Sequence, residues 1–482
     1  MARHIFDDHH PHQQATAPSL LPSRIYSSAF GMTIRPRNDE RTSNPPSSEK
    51  KIQYTIIKAG LLIPGDGQPT KNSALVIQNK VIDWVGSVDN IPRKYTDAVY
   101  REFTIPVVMP GLWDVHVHFS GDPVDADPGD HNTMFTQHPA TAGARITKGC
   151  WEAIQRGYTS MRDAGGFGCE VARAIDDGSI VGPNVYSAGA PLSQTAGHGD
   201  MFSLPAGDVH LNFGLSSVQA GHWGTTQSLL VDGVDECRRA VRLQIRRGAK
   251  CIKIFASGGV LSLDDDPIYA QFSPEELSVI VSEAARQGRA VAAHVHGKPG
   301  ILAAVRAGVT TVEHASFADE ECMHLMKEKS VVYVATRTIV DLLIKAGGKG
   351  LSQYQWEKAL LCASHHERAY KMAISAGVPV ALGTDTTPGF NMAMELDYAV
   401  KAGMTPLEAI KAATANGPLT VGAMARKSGQ LKVGYEADIL GLLRDPVEDV
   451  KVLQDKKNIE FVWKGGRLFK GPGVGPWGED AL

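Results

Sequence analysis

Eight short apolar segments, alternating with longer stretches of helical character, run from about Pro110 to Arg426 and restrict the available folds more than any other feature of the chain. They are Leu112–His118, Thr159–Asp163, Asn184–Gly189, Cys251–Ala256, Ala290–His296, Thr311–His314, Val331–Thr336 and Val380–Gly383. This is the rhythm of an α/β protein with a parallel sheet. Two helix starts between the strands are explicit. Ser273-Pro274-Glu275-Glu276 and Thr405-Pro406-Leu407-Glu408 each supply an N-cap hydroxyl, a proline at the first helical position and a glutamate two residues later. Eight repeats within about 320 residues fit a (β/α)8 TIM-like barrel with insertions. A doubly wound open sheet is the alternative, although no G-x-G-x-x-G follows the first strand.

The flanks have a different texture. Short alternating segments occur at Tyr54 to Ala59, Ala74 to Gln78, Lys80 to Val85 and Val99 to Phe103, punctuated by Gly60, Gly65, Gly67, Asn79 and Gly86. The style returns at Asp438 to Leu443 and Glu460 to Trp463, before Gly465-Gly466. Both ends therefore predict one small β-sandwich domain, residues 51–108 plus 427–470, split around a barrel at 109–426. Residues 1–50 are rich in His, Pro, Ser, Arg and Asn without sustained periodicity, which predicts a disordered or loosely ordered tail; a short C-terminal tail is expected at 471–482. The cluster His4, His9, His10 and His12 is read as part of that solvated tail. Leu20-Leu21 before Pro22 is too short for a secretory apolar region. These features point to the cytoplasm, with secretion by another signal left open.

At 482 residues and 43% hydrophobic, the chain buries more than one core, and a net charge of −3 carries no polyelectrolyte signature. Nucleic acid and membrane are thus poor partners, and no apolar run approaches the ~18 residues of a membrane span. The six cysteines show no C-x-x-C spacing and are expected as free thiols.

Polar residues that are odd for apolar strands fall near the C-terminal ends of several of them: His116 and His118, Lys253, His294 and His296, His314, and Asp385 just past the eighth. In a barrel those ends form one rim, where active sites are assembled. Side chains two apart on a strand share a face, so His116 and His118 form a ready pair of metal ligands. Taken singly, His314 is also readable as a satisfied core histidine and Asp385 as a turn or cap residue. Lys253 is the oddest member, because an unpaired ammonium facing a barrel interior carries a penalty of several kcal/mol and tends to lose its proton. A carboxylate partner or snorkelling accounts for it alone. Beside the histidines, a neutral amine that takes up carbon dioxide becomes a carbamate able to bridge two cations.

These stretches carry a family resemblance from about Lys51 to Lys470. Val108-Met109-Pro110-Gly111-Leu112-Trp113-Asp114-Val115-His116-Val117-His118, with Lys253-Ile254-Phe255-Ala256-Ser257-Gly258-Gly259-Val260, Ala293-His294-Val295-His296-Gly297, Val312-Glu313-His314-Ala315 and Gly383-Thr384-Asp385, resembles the metal-dependent amidohydrolase superfamily. Within it the likeness runs to the Xaa-Pro and related dipeptidases and their fungal ochratoxin-cleaving members. The resemblance implies two zinc ions per chain. His116, His118 and Asp385 would hold one, His294 and His314 the other, and Lys253 as N6-carboxylysine would bridge them. Asp385 would shuttle the proton. With the hydroxide that attacks, such a site has a net charge of about +1, which favours a substrate with a free carboxylate. His198, Tyr269, His296 and Arg337 are the candidates to hold that substrate, and the long loop Gly121–Ala140 is a candidate lid.

The implied activity is hydrolysis of the amide bond to a C-terminal amino acid. N-acyl amino acids such as ochratoxin A, giving phenylalanine and the free aromatic acid, are the implied substrates. A cyclic-amide hydrolase of hydantoinase or imidazolonepropionase type, or a catalytically silent scaffold relative, are the alternatives. The full ligand set speaks against silence. The resemblance also implies a homo-oligomer, with octamers among the related dipeptidases.

Overall fold

A computed structural model describes residues 53–123, 138–200 and 228–479, together with the strand Thr33–Ile34 and scattered positions between 202 and 209. The central region is α/β with parallel sheets. Leu112–Val117, Tyr158–Asp163 and Asn184–Ser187 pair in that order. Cys251–Phe255, Ala290–Val295, Thr311–His314 and Val332–Val334 follow one another in a second sheet. Its far edge is made of two very short strands, Leu192–Ser193 and Leu229–Leu230. Between the sheets, the Lys250 amide donates to the Ser187 carbonyl at 2.8 Å.

The eighth expected strand, Val380–Gly383, is not a regular one. Only isolated bridges occur, Val380 to Tyr333 and Thr386 to Val117. The segment nevertheless lies between the seventh and first strands. The Ala381 amide donates to Tyr333 at 3.1 Å, the Val115 amide to Leu382 at 3.0 Å and the Asp385 amide to His116 at 2.7 Å. Two local features break the ladder. Gly383 lies so close to His116 that a Cβ would fall 2.6 Å from that of the histidine, and Asp385 has a left-handed backbone with φ of 58°.

Both chain ends meet in a single eight-stranded sheet. Tyr54–Leu62, Thr70–Gln78, Val81–Ser87 and Tyr100–Pro110 come from one end, and Ile439–Leu442, Ile459–Lys464 and Arg467–Lys470 from the other. The seam is antiparallel, with Ile439 opposite Pro110 and Leu442 opposite Val107; Tyr100–Pro110 lies inside this sheet and runs on through Gly111 into the first central strand. Ile57, Leu75, Phe103, Ile105, Ile439 and Trp463 form its core. Thr33–Ile34 adds to Tyr100–Pro110, and the rest of the expected N-terminal tail lies outside the described residues, as does most of the loop Gly121–Ala140. Beyond residue 470 the chain folds back, and Glu479 pairs bidentately with the Arg101 guanidinium. All six cysteines are buried and free. No helix among the described residues is long and apolar enough to cross a membrane.

The two helix starts form as the sequence dictates. Ser273 Oγ accepts from the Glu276 amide at 3.3 Å while Glu276 accepts from the Ser273 amide at 2.6 Å, and Thr405 and Glu408 repeat the exchange. Thr405→Ala should therefore cost about 1 kcal/mol of stability. Urea unfolding with an unchanged midpoint would deny the cap its energetic role.

Candidate metal centre

The first strand aims its two imidazoles by fixing their Nδ1 atoms. His116 is buried, and its Nδ1 lies 2.7 Å from the Glu313 carboxylate; His118 Nδ1 lies 3.0 Å from the Gly165 carbonyl. A carbonyl and a carboxylate only accept, so both rings carry their proton on Nδ1 and present Nε2. Those Nε2 atoms stand 3.5 Å and 3.0 Å from Asp385 Oδ1. Among the described residues His116, His118 and Asp385 form the one group of three metal-competent side chains, with ligand atoms all within 4.8 Å of one another. Lys253 Nζ lies 3.4 Å from His116 Nε2.

A second pair stands beside it. The rings of His294 and His314 are 4.6 Å apart, His314 Nδ1 is engaged by Thr336 Oγ1 at 2.6 Å, and His294 Nε2 is buried without a partner. An orphaned buried imidazole nitrogen costs free energy unless something binds it. His314, Thr336 and Asp385 all have positive φ, at 67°, 54° and 58°. Strained backbone concentrates where a site over-determines it, and here three instances fall at strand ends around the same histidines.

Burial sets the charge states. It pushes the His116 imidazole down to about 4 and holds those of His294 and His314 well below the usual range, so these rings are neutral donors. Burial also lowers the Lys253 ammonium to about 8. For Asp385 burial acts upward, but the histidines around it outweigh burial and keep the carboxylate ionised; among them His118, 3.0 Å away, is itself raised, against burial, by that carboxylate, so a metal ion binding there displaces its Nε2 proton. Two imidazoles and one carboxylate around a point suit zinc, and neutral imidazole is the ligating form.

Of the substrate-binding candidates, two join the cluster. The His198 ring stacks on His294 at 4.3 Å, and the His296 ring stacks on His314 at 5.1 Å with its Nδ1 on Ser316 Oγ at 2.8 Å. Tyr269 stands on a loop, 69% exposed. Arg337 opens the helix Arg337–Lys345 and has the acids Asp341 and Glu395 in its electrostatic surroundings. Among the described residues no hydrogen bond or ring contact joins Tyr269 or Arg337 to the histidines.

The sequence reading passed over the residues behind the ligands. Glu313 is gripped by Arg162 at 2.7 and 2.8 Å, and Arg162 also donates to Thr311 Oγ1 at 2.8 Å. Asp163 accepts from the amides of Phe119, Gly165 and Gly168 and so shapes the turn whose Gly165 carbonyl orients His118. Asp114 accepts from Thr384 Oγ1 at 2.7 Å and from the His116 amide at 3.1 Å, tying the first strand to the Asp385 segment. A signal existed: like Lys253, these are charges within apolar strands.

Comparison with known proteins places the chain in a family. The amidohydrolase family profile matches residues 107–469. The chain is 58% identical to ochratoxinase from Aspergillus niger over 97% of its own length and 98% of that protein's. It superposes on the crystal structure of A. niger ochratoxinase with a TM-score of 0.84, covering 90% of this chain and 99% of that one. A Xaa-Pro dipeptidase crystallised with methionine in its active site matches with a TM-score of 0.73 at 28% identity, over 87% of this chain and all of the other.

Proposed function

The chain belongs to the amidohydrolase family and is a hydrolase of amide bonds, and on that premise we propose that it cleaves the amide to a C-terminal amino acid, as a carboxypeptidase or dipeptidase does. N-acyl amino acids with a large aromatic acyl group, ochratoxin A among them, are the proposed substrates. The observation that carries this reading is the convergence of His116 and His118 Nε2 on Asp385 Oδ1, beside Lys253, in a chain 58% identical to ochratoxinase.

In this reading residues 109–426 close into a (β/α)8 barrel whose eighth stave is the irregular segment after Pro379. The sheet built from 51–108 and 427–470 curls on its own core as a sandwich domain. His116, His118 and Asp385 would hold one zinc ion, and His294 and His314 a second, with Lys253 as a carbamate between them. The orphaned His294 Nε2 supports the second position. The metals would supply an activated water and a polarised carbonyl.

The protein's own groups do the rest. Asp385, kept ionised, takes a proton from the attacking water at its carboxylate and delivers it to the departing nitrogen. His198, stacked on His294, is the best placed of the substrate-binding candidates. Tyr269 and Arg337 remain candidates for the outer part of the substrate.

A panel of N-acyl amino acids, their C-terminal amides and cyclic amides tests the proposal on zinc-loaded enzyme. Converting the substrate's carboxylate to an amide should lower kcat/KM by roughly 30- to 100-fold, the loss of a charge-assisted contact of about 2–3 kcal/mol. Equal rates on acid and amide, or turnover of hydantoins or imidazolones alone, would overturn it.

A further inference from the structure

His198 is held by a network that begins on a helix outside the metal centre. Lys358, in the helix Gln353–Ala376, is buried. Its ammonium donates to the Ser262 carbonyl at 2.7 Å, the Asp265 carbonyl at 2.9 Å and Asp265 Oδ1 at 3.1 Å, and reaches Ser262 Oγ at 3.3 Å. Tyr354 and Gln355 of the same helix donate to the Asp265 and Leu261 carbonyls, so one helical turn staples the loop 258–270. Packing alone is served more cheaply by an apolar side chain, since a buried ion pair gains little over a hydrophobic isostere. The ammonium adds orientation.

That orientation reaches His198. The Ser262 hydroxyl has one proton, which goes to Asp265 Oδ1, so its oxygen, 3.3 Å from the Lys358 ammonium, accepts from His198 Nδ1 at 2.9 Å. The other Asp265 oxygen takes the Gly259 amide at 3.0 Å and lies 3.6 Å from His198 Nδ1. Gly259 backs the imidazole so closely that a Cβ would fall 2.1 Å from His198 Cε1. Gln271 Oε1 accepts from the His198 amide at 3.0 Å. Backbone, ring edge and ring face are all fixed, the proton sits on Nδ1, and Nε2 is the nitrogen left over.

We propose that Lys358 and Asp265 are a positioning pair through which the helix Gln353–Ala376 holds His198 over the His294 ring and presents its Nε2 to the substrate. Only the kinetic part of this proposal rests on the amide-hydrolase reading. The pair touches no substrate and acts through His198.

The test compares zinc-loaded wild type with Lys358→Met, Lys358→Arg, His198→Ala and the Lys358→Met/His198→Ala double variant. Lys358→Met should lower kcat/KM on an N-acyl amino acid about tenfold at unchanged zinc content, and add less than about twofold in the His198→Ala background. Lys358→Arg should restore part of the loss. In protein labelled with 15N-histidine, the Nδ1–H resonance that disappears in His198→Ala should shift or broaden in Lys358→Met. Should Lys358→Met not fold, Tyr354→Phe removes one staple to the same loop and should move the same resonance. Additive kinetic losses with an unmoved resonance would make Lys358 merely structural and overturn the proposal. If wild type cleaves no N-acyl amino acid, the proposed function fails, while the imidazole spectrum still decides this one.

Discussion

Lys253→Ala should reduce turnover of an N-acyl amino acid by at least about 10³-fold and lower bound metal below two ions per chain. Lys253 is 2% exposed, with Nζ 3.4 Å from His116 Nε2, so alanine leaves a vacancy among buried ligands rather than on a surface. Burial lowers its ammonium to about 8, which leaves a useful fraction of neutral amine near neutral pH for reaction with carbon dioxide. The carbamate reading makes a second, sharper demand: formate or acetate should restore part of the activity to Lys253→Ala by placing a carboxylate where the carbamate would lie. Metal analysis and rescue kinetics are both needed. A variant that stays active with two ions bound would remove Lys253 from the centre altogether, whereas a metal-poor variant without rescue would keep the lysine as a ligand neighbour but reject the carbamate.

Residue pattern and geometry coincide best where the signal is local. Ser273 and Thr405 cap helices because a hydroxyl three residues before a glutamate satisfies orphan amides whatever surrounds it. His116 and His118 were legible because a strand's two-residue period puts them on one face. The eighth strand was only half legible. Its apolar run is real, but the ladder is broken by Gly383 pressing on His116 and by the left-handed Asp385, contacts made between residues more than 260 positions apart. Arg467–Lys470 falls inside the small domain expected to reach residue 470 without being singled out as a strand, and Gly465-Gly466 is the turn that pairs it with Ile459–Lys464. Arg337, expected just after the seventh strand, lies there as the first residue of the helix Arg337–Lys345, and Asp341 and Glu395 stand in its electrostatic surroundings. The groups behind the ligands were the least visible. Their roles depend on which strands become neighbours, and Glu313 earns its meaning only when Arg162 and His116 close around it.

Arg162→Met should destabilise the protein by about 3–5 kcal/mol, the cost of stranding one member of a buried ion pair. Arg162 and Glu313 are both fully buried, and the guanidinium also holds Thr311 and the Val115 carbonyl, so no water can replace it cheaply. Burial alone pushes the Glu313 carboxyl up; Arg162, with His116 after it, outweighs burial and holds it well below the usual range. The sign of the pH dependence follows. In wild type this pair's stabilisation is fully present above the unfolded glutamate value of about 4.3 and is lost as pH falls below it toward the folded value. In Arg162→Met the arginine's opposing charge is gone, burial dominates, and Glu313 binds a proton on folding, so the variant loses stability as pH rises. The difference between the two proteins should therefore widen from pH 4 to pH 7, measured by urea unfolding of metal-free protein. Glu313→Gln tests the other member of this pair. It strands the buried Arg162 guanidinium in turn, at a comparable cost of about 3–5 kcal/mol, and it no longer anchors His116 Nδ1–H with a carboxylate, so metal affinity should also fall roughly 10- to 100-fold. A pH-independent gap for Arg162→Met would mean that lost packing, and not the stranded carboxylate, sets its cost. Unchanged metal affinity in Glu313→Gln would mean that His116 is oriented by the strand alone.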